Sequence, residues 1–353
     1  MNRREFLINA LKLSAFGAIP VSLFGKTGFP ESCPDAATTI GRRNFHGFSL
    51  PLLGLGLMNL TRNPRSNRYD ASQIERIVEF AMEQGVNYFD SAPNYLGGAG
   101  GPLLGKILKK YPRNSYFLAS KLDLKRIHSQ ADAKKEVDRQ LRQCGTESFD
   151  FYMLQTLDSA KASRAERLQL PELFRDLKRQ GKIRFSGASF ADTPELLARL
   201  LPRCKWDFAQ IEINYADWEF CRIREIHKLL ISQNIPVLAV NPFRGGDLDF
   251  ADREKFSQSC RFPLSLPGVV LTICHPFTEQ QFASAVQVLK TFRPLPETEQ
   301  KNLTEAAEKL RRSGKLNPCG DCCCSRINPE LESRTPASCP FSIHPKNRRF
   351  PFL

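Results

Sequence analysis

No stretch of this sequence gathers its basic residues into a stripe interleaved with aromatics. The excess of Lys and Arg (51 against 37 Asp and Glu, net charge +14) therefore does not describe a nucleic-acid binder. The positive residues are scattered through helical segments, where a solvated surface accounts for them without a nucleic acid or anionic surface as partner. No apolar run is long and uninterrupted enough to promise a firm membrane span, and no repeat is visible beyond a strand–helix unit. Wholesale disorder is excluded by a composition of 41% hydrophobic and 25% charged residues. The 353 residues suffice for one large core, since α/β barrels of roughly 250 residues fold as a unit.

Cysteine, by contrast, is abundant, at eleven residues. Cys33, Cys144, Cys204, Cys221, Cys260 and Cys274 are spaced singly and read as small buried hydrophobes. The other five crowd into the last 35 residues and need a separate explanation.

Residues 1–35 read as a twin-arginine-type export signal. Arg3-Arg4 stand immediately before Glu5-Phe6-Leu7, and Ile8 to Phe24 form an apolar stretch interrupted by Lys12. An amphipathic N-terminal helix is the alternative. No clean Ala-x-Ala cleavage site follows, Ala15-Phe16-Gly17-Ala18 being a poor approximation, so the segment could stay attached as an anchor. The expected location is the periplasm, reached in folded form, a route suited to a redox enzyme loaded with its cofactor inside the cell.

From Ser49 onward short apolar runs alternate with helical patterns. Strands are expected at Leu50–Met58, Val86–Phe89, Tyr116–Ser120, Asp150–Leu154, Ile183–Ala188, Phe208–Ile213, Pro236–Val240 and Val269–Ile273. Helices are expected at 71–84, 102–110, 131–143, 171–180 and 193–201, the last capped by Thr193 beside Pro194-Glu195. The weakest unit is 241–269, where only 253–260 can be helical. Eight such units predict an α/β fold, a (β/α)₈ TIM barrel followed by a C-terminal cysteine-rich extension.

In such a barrel, chemistry sits at the carboxyl ends of the strands. The second strand runs into Asp90 and Tyr95, and the third ends at Lys121. Taken singly these are a turn residue, a rim aromatic and a solvated lysine. Together they form a working unit. An ammonium beside a phenol favours the phenolate and lowers a pKa that is ordinarily near 10, while a carboxylate holds the lysine charged. The product is a general acid for a carbonyl oxygen.

At this point the chain resembles the aldo-keto reductase family. Asn87-Tyr88-Phe89-Asp90-Ser91-Ala92-Pro93-Asn94-Tyr95, continued by Gly105-Lys106, is similar to the segment around that family's catalytic Asp and Tyr. Phe117-Leu118-Ala119-Ser120-Lys121 resembles the segment carrying the catalytic lysine. Phe149–Leu154, Gly181–Ser189, Gln210–Tyr215 and the loop Asn241-Pro242-Phe243-Arg244-Gly245-Gly246 extend the resemblance over roughly residues 45–290. It is closest to the branch with a ferredoxin-like cysteine tail. The resemblance implies an NADP-type cofactor extended across the barrel mouth. Ser189 and Gln210 would hold the nicotinamide carboxamide, and the Pro242, Arg244 and Gly245 loop would lie near the pyrophosphate, where small residues allow close approach. A Rossmann glycine fingerprint is not part of this family's pattern.

The sequence departs from that pattern in two places. Gln155 stands where the fourth strand usually ends in a histidine, so carbonyl polarisation by hydrogen bond survives but titration does not. After the eighth strand, Ile273-Cys274-His275-Pro276-Phe277 and then Ala283-Ser284-Ala285 replace the expected adenosine clamp; His275 could meet phosphate, although a histidine at a helix start is more often structural. The tail, 297–353, opens with a helix at about 297–312 and carries Cys319, Cys322, Cys323, Cys324 and Cys339-Pro340. Cys319, Cys322, Cys323 and Cys339 are the expected ligands of a 4Fe-4S cluster, Cys323 or else Cys324 substituting for the family's third cysteine, whose place is taken by Ser325; disulfides and zinc are the alternatives. The expected activity is NADP-dependent reduction of a small carbonyl, or oxidation of an alcohol. Asp90, Tyr95, Lys121 and Gln155 would form the catalytic set, and a redox partner protein could serve the tail. A catalytically altered barrel acting in binding, assembly or electron transfer is the competing expectation.

Overall fold

Strand and helix alternate along the chain because apolar residues recur first at every second position and then at every third or fourth. The computed structural model describes residues 39–60, 69–246, 248 and 252–316. The export-type segment and the tail cysteines Cys319, Cys322, Cys323, Cys324 and Cys339 lie outside the described residues. β1 (Arg42–Phe45) and β2 (Phe48–Pro51) form a hairpin. The repeating units are β3 (Leu53–Gly56) with α1 (Ala71–Glu83), β4 (Tyr88–Asp90) with α2 (Gly100–Leu108), and β5 (Phe117–Leu122) with α3 (Gln130–Cys144). They continue as β6 (Phe149–Leu157) with α4 (Ser159–Arg167) and α5 (Leu170–Arg179), β7 (Ile183–Phe190) with α6 (Pro194–Leu200), and β8 (Phe208–Glu212) with α7 (Ile223–Ser232). The last are β9 (Val237–Val240) with α8 (Arg253–Leu264) and β10 (Val269–Cys274) with α9 (Glu279–Lys290), after which comes α10 (Glu297–Arg312).

Strands β3 to β10 are all parallel and close into a barrel in which β10 pairs with β3. The (β/α)₈ expectation is therefore met strand for strand. One expected strand divides: Leu50–Met58 becomes the end of β2 and all of β3, broken at Leu52, whose N–H turns back to the Gly41 carbonyl at 2.9 Å. The hairpin ahead of it escaped sequence reasoning. His46 and Gly47 both take positive φ (47° and 85°) to turn it, yet His-Gly is not a usual signal for a two-residue hairpin turn.

That hairpin closes the amino end of the barrel. Phe45 projects inward, its ring 4.9 Å from Phe185 and 5.2 Å from Phe151. Above this floor the inward positions advance by twos: Tyr88 to Asp90, Ala119 to Lys121, Phe151 through Met153 to Gln155, Phe208 to Gln210, and Leu271 through Ile273 to His275. The interior is apolar below and polar in its uppermost layer, so the alternation that packs the core also delivers the polar groups to the mouth. The helices bury their apolar faces against the outside of the barrel. Their starts follow the residues expected to cap them: Asp70 accepts from Ser72 and Gln73 at α1, and Thr193 accepts from Leu196 at α6 with Pro194 in the first turn. Among the described residues no helix is long and apolar enough to cross a membrane.

Candidate active site

The uppermost inward layer joins residues that lie far apart in sequence. Lys121 Nζ donates to Asp90 Oδ1 at 2.7 Å and to Tyr95 Oη at 2.8 Å. Gln210 Nε2 donates to the other Asp90 oxygen at 3.1 Å. Asp90 and Lys121 sit at the ends of adjacent, hydrogen-bonded strands. Tyr95 comes from the short 3₁₀ turn that follows β4, where Leu96 at φ 53° and Gly97 at φ 66° bend the chain back over the mouth. All three are closed off from solvent: Asp90 is 0% exposed, Lys121 3% and Tyr95 8%. Because Tyr95 Oη accepts from the ammonium, its own proton is left to point elsewhere, which is the arrangement a proton donor needs.

Burial and charge compete at each group. Burial pushes the Tyr95 phenol up; Lys121 draws it back only in part, and it rests above its ordinary value. This corrects the expectation that the ammonium brings the pKa down: the attraction is present, but loss of water outweighs it. Tyr95 is thus held protonated. Burial would also raise Asp90, yet the Lys121 charge and the neighbouring His275 outweigh it, and the carboxyl lies below its usual range. For Lys121 burial is a lowering influence, overcome by Asp90 and Tyr95, so the ammonium persists.

Gln155 ends the inward series of β6. A register shift between Leu154 and Leu157, with Thr156 at φ 49°, re-aims it, and Lys161 Nζ secures the bulge by donating to the Thr156 carbonyl at 2.9 Å. Its amide nitrogen donates to Asn94 Oδ1 at 2.9 Å, from the segment leading to Tyr95. Its amide oxygen is buried and unpartnered. Such an atom offers an acceptor to a hydroxyl or amide of an incoming molecule.

Of the residues expected to hold a cofactor, Ser189 and Gln210 stand at the same level, directly opposed across β7 and β8. Gln210 also anchors Asp90, a task its sequence position did not disclose. Arg244 behaves otherwise than expected. Its side chain is buried and turned into the protein, with Nε 2.9 and 3.0 Å from the two Asp217 oxygens. Arg311, from the last turn of α10, shares Asp217 at 3.3 Å, donates to the Ala216 carbonyl at 2.6 Å and lies 3.7 Å over the Phe220 ring. What the loop presents outward is the half-buried backbone of Gly245 and Gly246, both at positive φ (65° and 98°). Together with Pro242, Asn59 and His275 it lines a shallow depression.

Sequence reasoning placed His275 outside the trio. It lies inside: Nε2 is 3.7 Å from Asp90 Oδ1, and the ring stands perpendicular to that of Tyr95 with centroids 6.0 Å apart. The inward series Leu271, Ile273, His275 was the signal that could have found it. Among the described residues no cluster of three or more His, Cys, Asp or Glu side chains is poised for a metal. Cys144, Cys204, Cys260 and Cys274 are free thiols, and Cys221 is disulfide-bonded.

With this geometry in hand, the comparisons with known proteins are specific. The model of the "Aldo/keto reductase family" matches residues 52–261. A soybean (Glycine max) protein named "Probable aldo-keto reductase 1" is 24% identical over 211 residues, which are 57% of this chain and 58% of that relative's length. Among solved structures, the holo form of aldo-keto reductase AKR11C1 from Bacillus halodurans superimposes with a TM-score of 0.62 at 20% identity, over 75% of this chain and 96% of that one. An aldo/keto reductase from Brucella melitensis gives a TM-score of 0.59 at 18% identity, over 76% and 99% of the two chains.

Proposed function

Because the chain belongs to the aldo/keto reductase family, we propose that it exchanges a hydride between an NADP-type dinucleotide and a small carbonyl or alcohol, with Tyr95 as general acid and base. The observation that carries this reading is the buried hydrogen-bonded series Tyr95–Lys121–Asp90 at the barrel mouth. The residues at the nicotinamide end fit such a cofactor: Ser189 and Gln210 face one another across adjacent strand ends, and the Gly245-Gly246 backbone has no side chain to hold a pyrophosphate away. When bound, the dinucleotide supplies the hydride.

The chain's own residues do the rest. Tyr95, kept protonated by burial, gives its proton to the carbonyl oxygen. The Lys121 ammonium stabilises the phenolate left behind, and Asp90 fixes that ammonium in place. Gln155 orients the substrate through the unpartnered amide oxygen or the second N–H of the same amide. Tyr95→Phe is expected to lower turnover by about 10²–10⁴-fold, while quenching of intrinsic fluorescence by NADPH persists. Unchanged turnover contradicts the assignment.

A second reading, a barrel that binds or assembles without transferring hydride, is favoured by two observations. Arg244 is committed to Asp217, and Arg76 is committed to Glu279 in the first turn of α9 at 2.6 Å, where a cation for an adenosine phosphate would be sought. An absence of NADPH quenching would select this reading.

For the rest of the chain we propose a barrel domain over 45–290 and a tail over 297–353. The tail would carry a 4Fe-4S cluster on Cys319, Cys322, Cys323 and Cys339, in an exported, periplasmic protein served by a redox partner. The disulfide at Cys221 supports an oxidising compartment. Iron and sulfide analysis after anaerobic purification tests the cluster, and their absence would leave disulfides or zinc.

A further inference from the structure

Of the five residues that α3 buries, four are apolar (Ala133, Val137, Leu141 and Cys144) and the fifth is Gln140. An amide in such a stripe loses its water and must recover its hydrogen bonds from protein. Gln140, 4% exposed, does so. Its Oε1 accepts from Ser120 Oγ at 2.8 Å and from Tyr152 Oη at 3.3 Å. Its Nε2 donates to the Lys121 carbonyl at 3.2 Å and to Glu136 Oε1 at 2.8 Å. Since a peptide carbonyl and a carboxylate only accept, the amide has one orientation. Ser120 and Tyr152 lie side by side in the register of β5 and β6 and face outward, alternating with the inward Lys121 and Met153. The network therefore grips two adjacent barrel strands from the helix layer, directly behind the lysine whose ammonium meets Asp90 and Tyr95. On its outer side it ends at Arg139, which donates to the two Glu136 oxygens at 2.5 and 2.7 Å.

Apolar side chains could fill this space without loss of stability, because exchanging a complete set of buried hydrogen-bond partners for apolar groups of like shape is close to neutral. What the amide adds is direction. It holds the Lys121 peptide at a fixed point on the outer side of the barrel wall. The ammonium of the same residue must meanwhile reach two oxygens on the inner side, at 2.7 and 2.8 Å. We propose that Gln140 is a positioning residue for the reaction, fixing through the Lys121 carbonyl the point at which the ammonium meets Tyr95. The inference rests on the function proposed above. Gln140 stands behind the wall from the mouth and moves no proton, so its effect is geometric. A displacement of about 1 Å in a site can cost about 10²-fold in rate, and slack of a fraction of that in β5 is enough for a tenfold loss. The charged groups around the Tyr95 phenol are Lys121, Asp90 and Glu212, with His275 edge-on to it. Gln140 bears on the first of these.

The test uses the full-length protein. Gln140→Leu leaves two hydroxyls and a carbonyl without their partner, and is expected to lower both the urea midpoint and kcat. Adding Ser120→Ala and Tyr152→Phe removes the orphaned hydroxyls, so the midpoint of the triple variant should return most of the way to wild type. Its kcat should stay about tenfold down, with KM for NADPH and for the carbonyl within about twofold. The alkaline limb of its pH profile should move upward, since a phenol less drawn by the ammonium keeps its proton to higher pH. Ser120→Ala with Tyr152→Phe, which keeps the bond from Gln140 to the Lys121 carbonyl, should hold kcat within about twofold of wild type. A kcat that recovers with the urea midpoint in the triple variant, or that falls as far in the double variant as in the triple, overturns the proposal. Should the wild-type protein reduce no carbonyl, the reductase reading fails by itself, and a crystal structure of the triple variant decides this one. Lys121 Nζ withdrawn beyond about 3.5 Å from Tyr95 Oη supports it, and an ammonium still seated on both oxygens overturns it.

Discussion

Replacing Lys121 by methionine isolates the competition on which the site depends. Lys121 and Asp90 are 2.7 Å apart with side chains 3% and 0% exposed, so the substitution strands a carboxylate where water cannot reach it. Breaking one partner of such a buried pair costs about 3–5 kcal/mol, and the variant should lose that much stability near neutral pH. The loss should also depend on pH, in a direction the pKa shifts dictate. In the wild-type protein Asp90 is depressed; its stabilisation is present above the unfolded value of about 3.9 and is lost as pH falls through the folded one. Without Lys121 the upward push of burial is no longer outweighed, and the folded pKa moves above the unfolded one. The deficit of Lys121→Met should then be small in acid and grow as pH rises above about 4. Asp90→Leu in the same chain removes the stranded charge and should recover much of the loss, with a coupling on the order of 2 kcal/mol. Urea unfolding followed by the fluorescence of Trp206 and Trp218, at two pH values, measures all four proteins of the cycle. A deficit below about 1 kcal/mol, a deficit independent of pH, or a double variant no more stable than Lys121→Met would refute the reasoning.

Other expectations follow from neighbouring features. Gln155→Leu, which removes the polar side chain that ends the inward series of β6, should lower kcat/KM about tenfold, the worth of one hydrogen bond, with little change in denaturation midpoint. Gln155→His should add a titrating limb between pH 5 and 8 to the pH–rate profile, and a profile identical to wild type would argue against its position beside the substrate. Phe45→Ala, at the sealed amino end of the barrel, should cost about 3–5 kcal/mol in urea unfolding while leaving nucleotide binding intact, since floor and mouth are separated by the apolar interior. Arg311→Ala should destabilise by about 2–4 kcal/mol, through the loss of a shared buried charge and a cation–π contact; wild-type stability would mean that Arg244 alone neutralises Asp217.

The barrel and its trio were legible because both rest on period-two alternation and on strand order, which are local properties of the chain. The eight strands, and the placement of Asp90 and Lys121 at consecutive strand ends, needed no knowledge of distant contacts. What was not legible depended on partners remote in sequence or on burial itself. Arg244 carries no local sign that Asp217 and Arg311 draw it inward. The direction of the Tyr95 shift follows from how completely the mouth excludes water, a property of the folded shape. His275 lay in between: the alternation through Leu271 and Ile273 pointed it into the barrel, but the nearby start of α9 made it read as a helix-start residue. The hairpin of β1 and β2 was missed because its turn residues are unusual.

The docking of α10 sets where the remainder of the chain leaves the barrel. Arg311 fastens the end of that helix to the loop after β8, and Leu316 packs against the core just beyond it. Both lie on the rim that holds Tyr95, at the opposite end from Phe45. Three peptide units separate Leu316 from Cys319, at most about 11 Å of extended chain. The end of α10 and the residues that follow it therefore bring the chain to the rim that carries Tyr95, Lys121 and Asp90, so the exit of the chain and the proposed site share one face of the barrel.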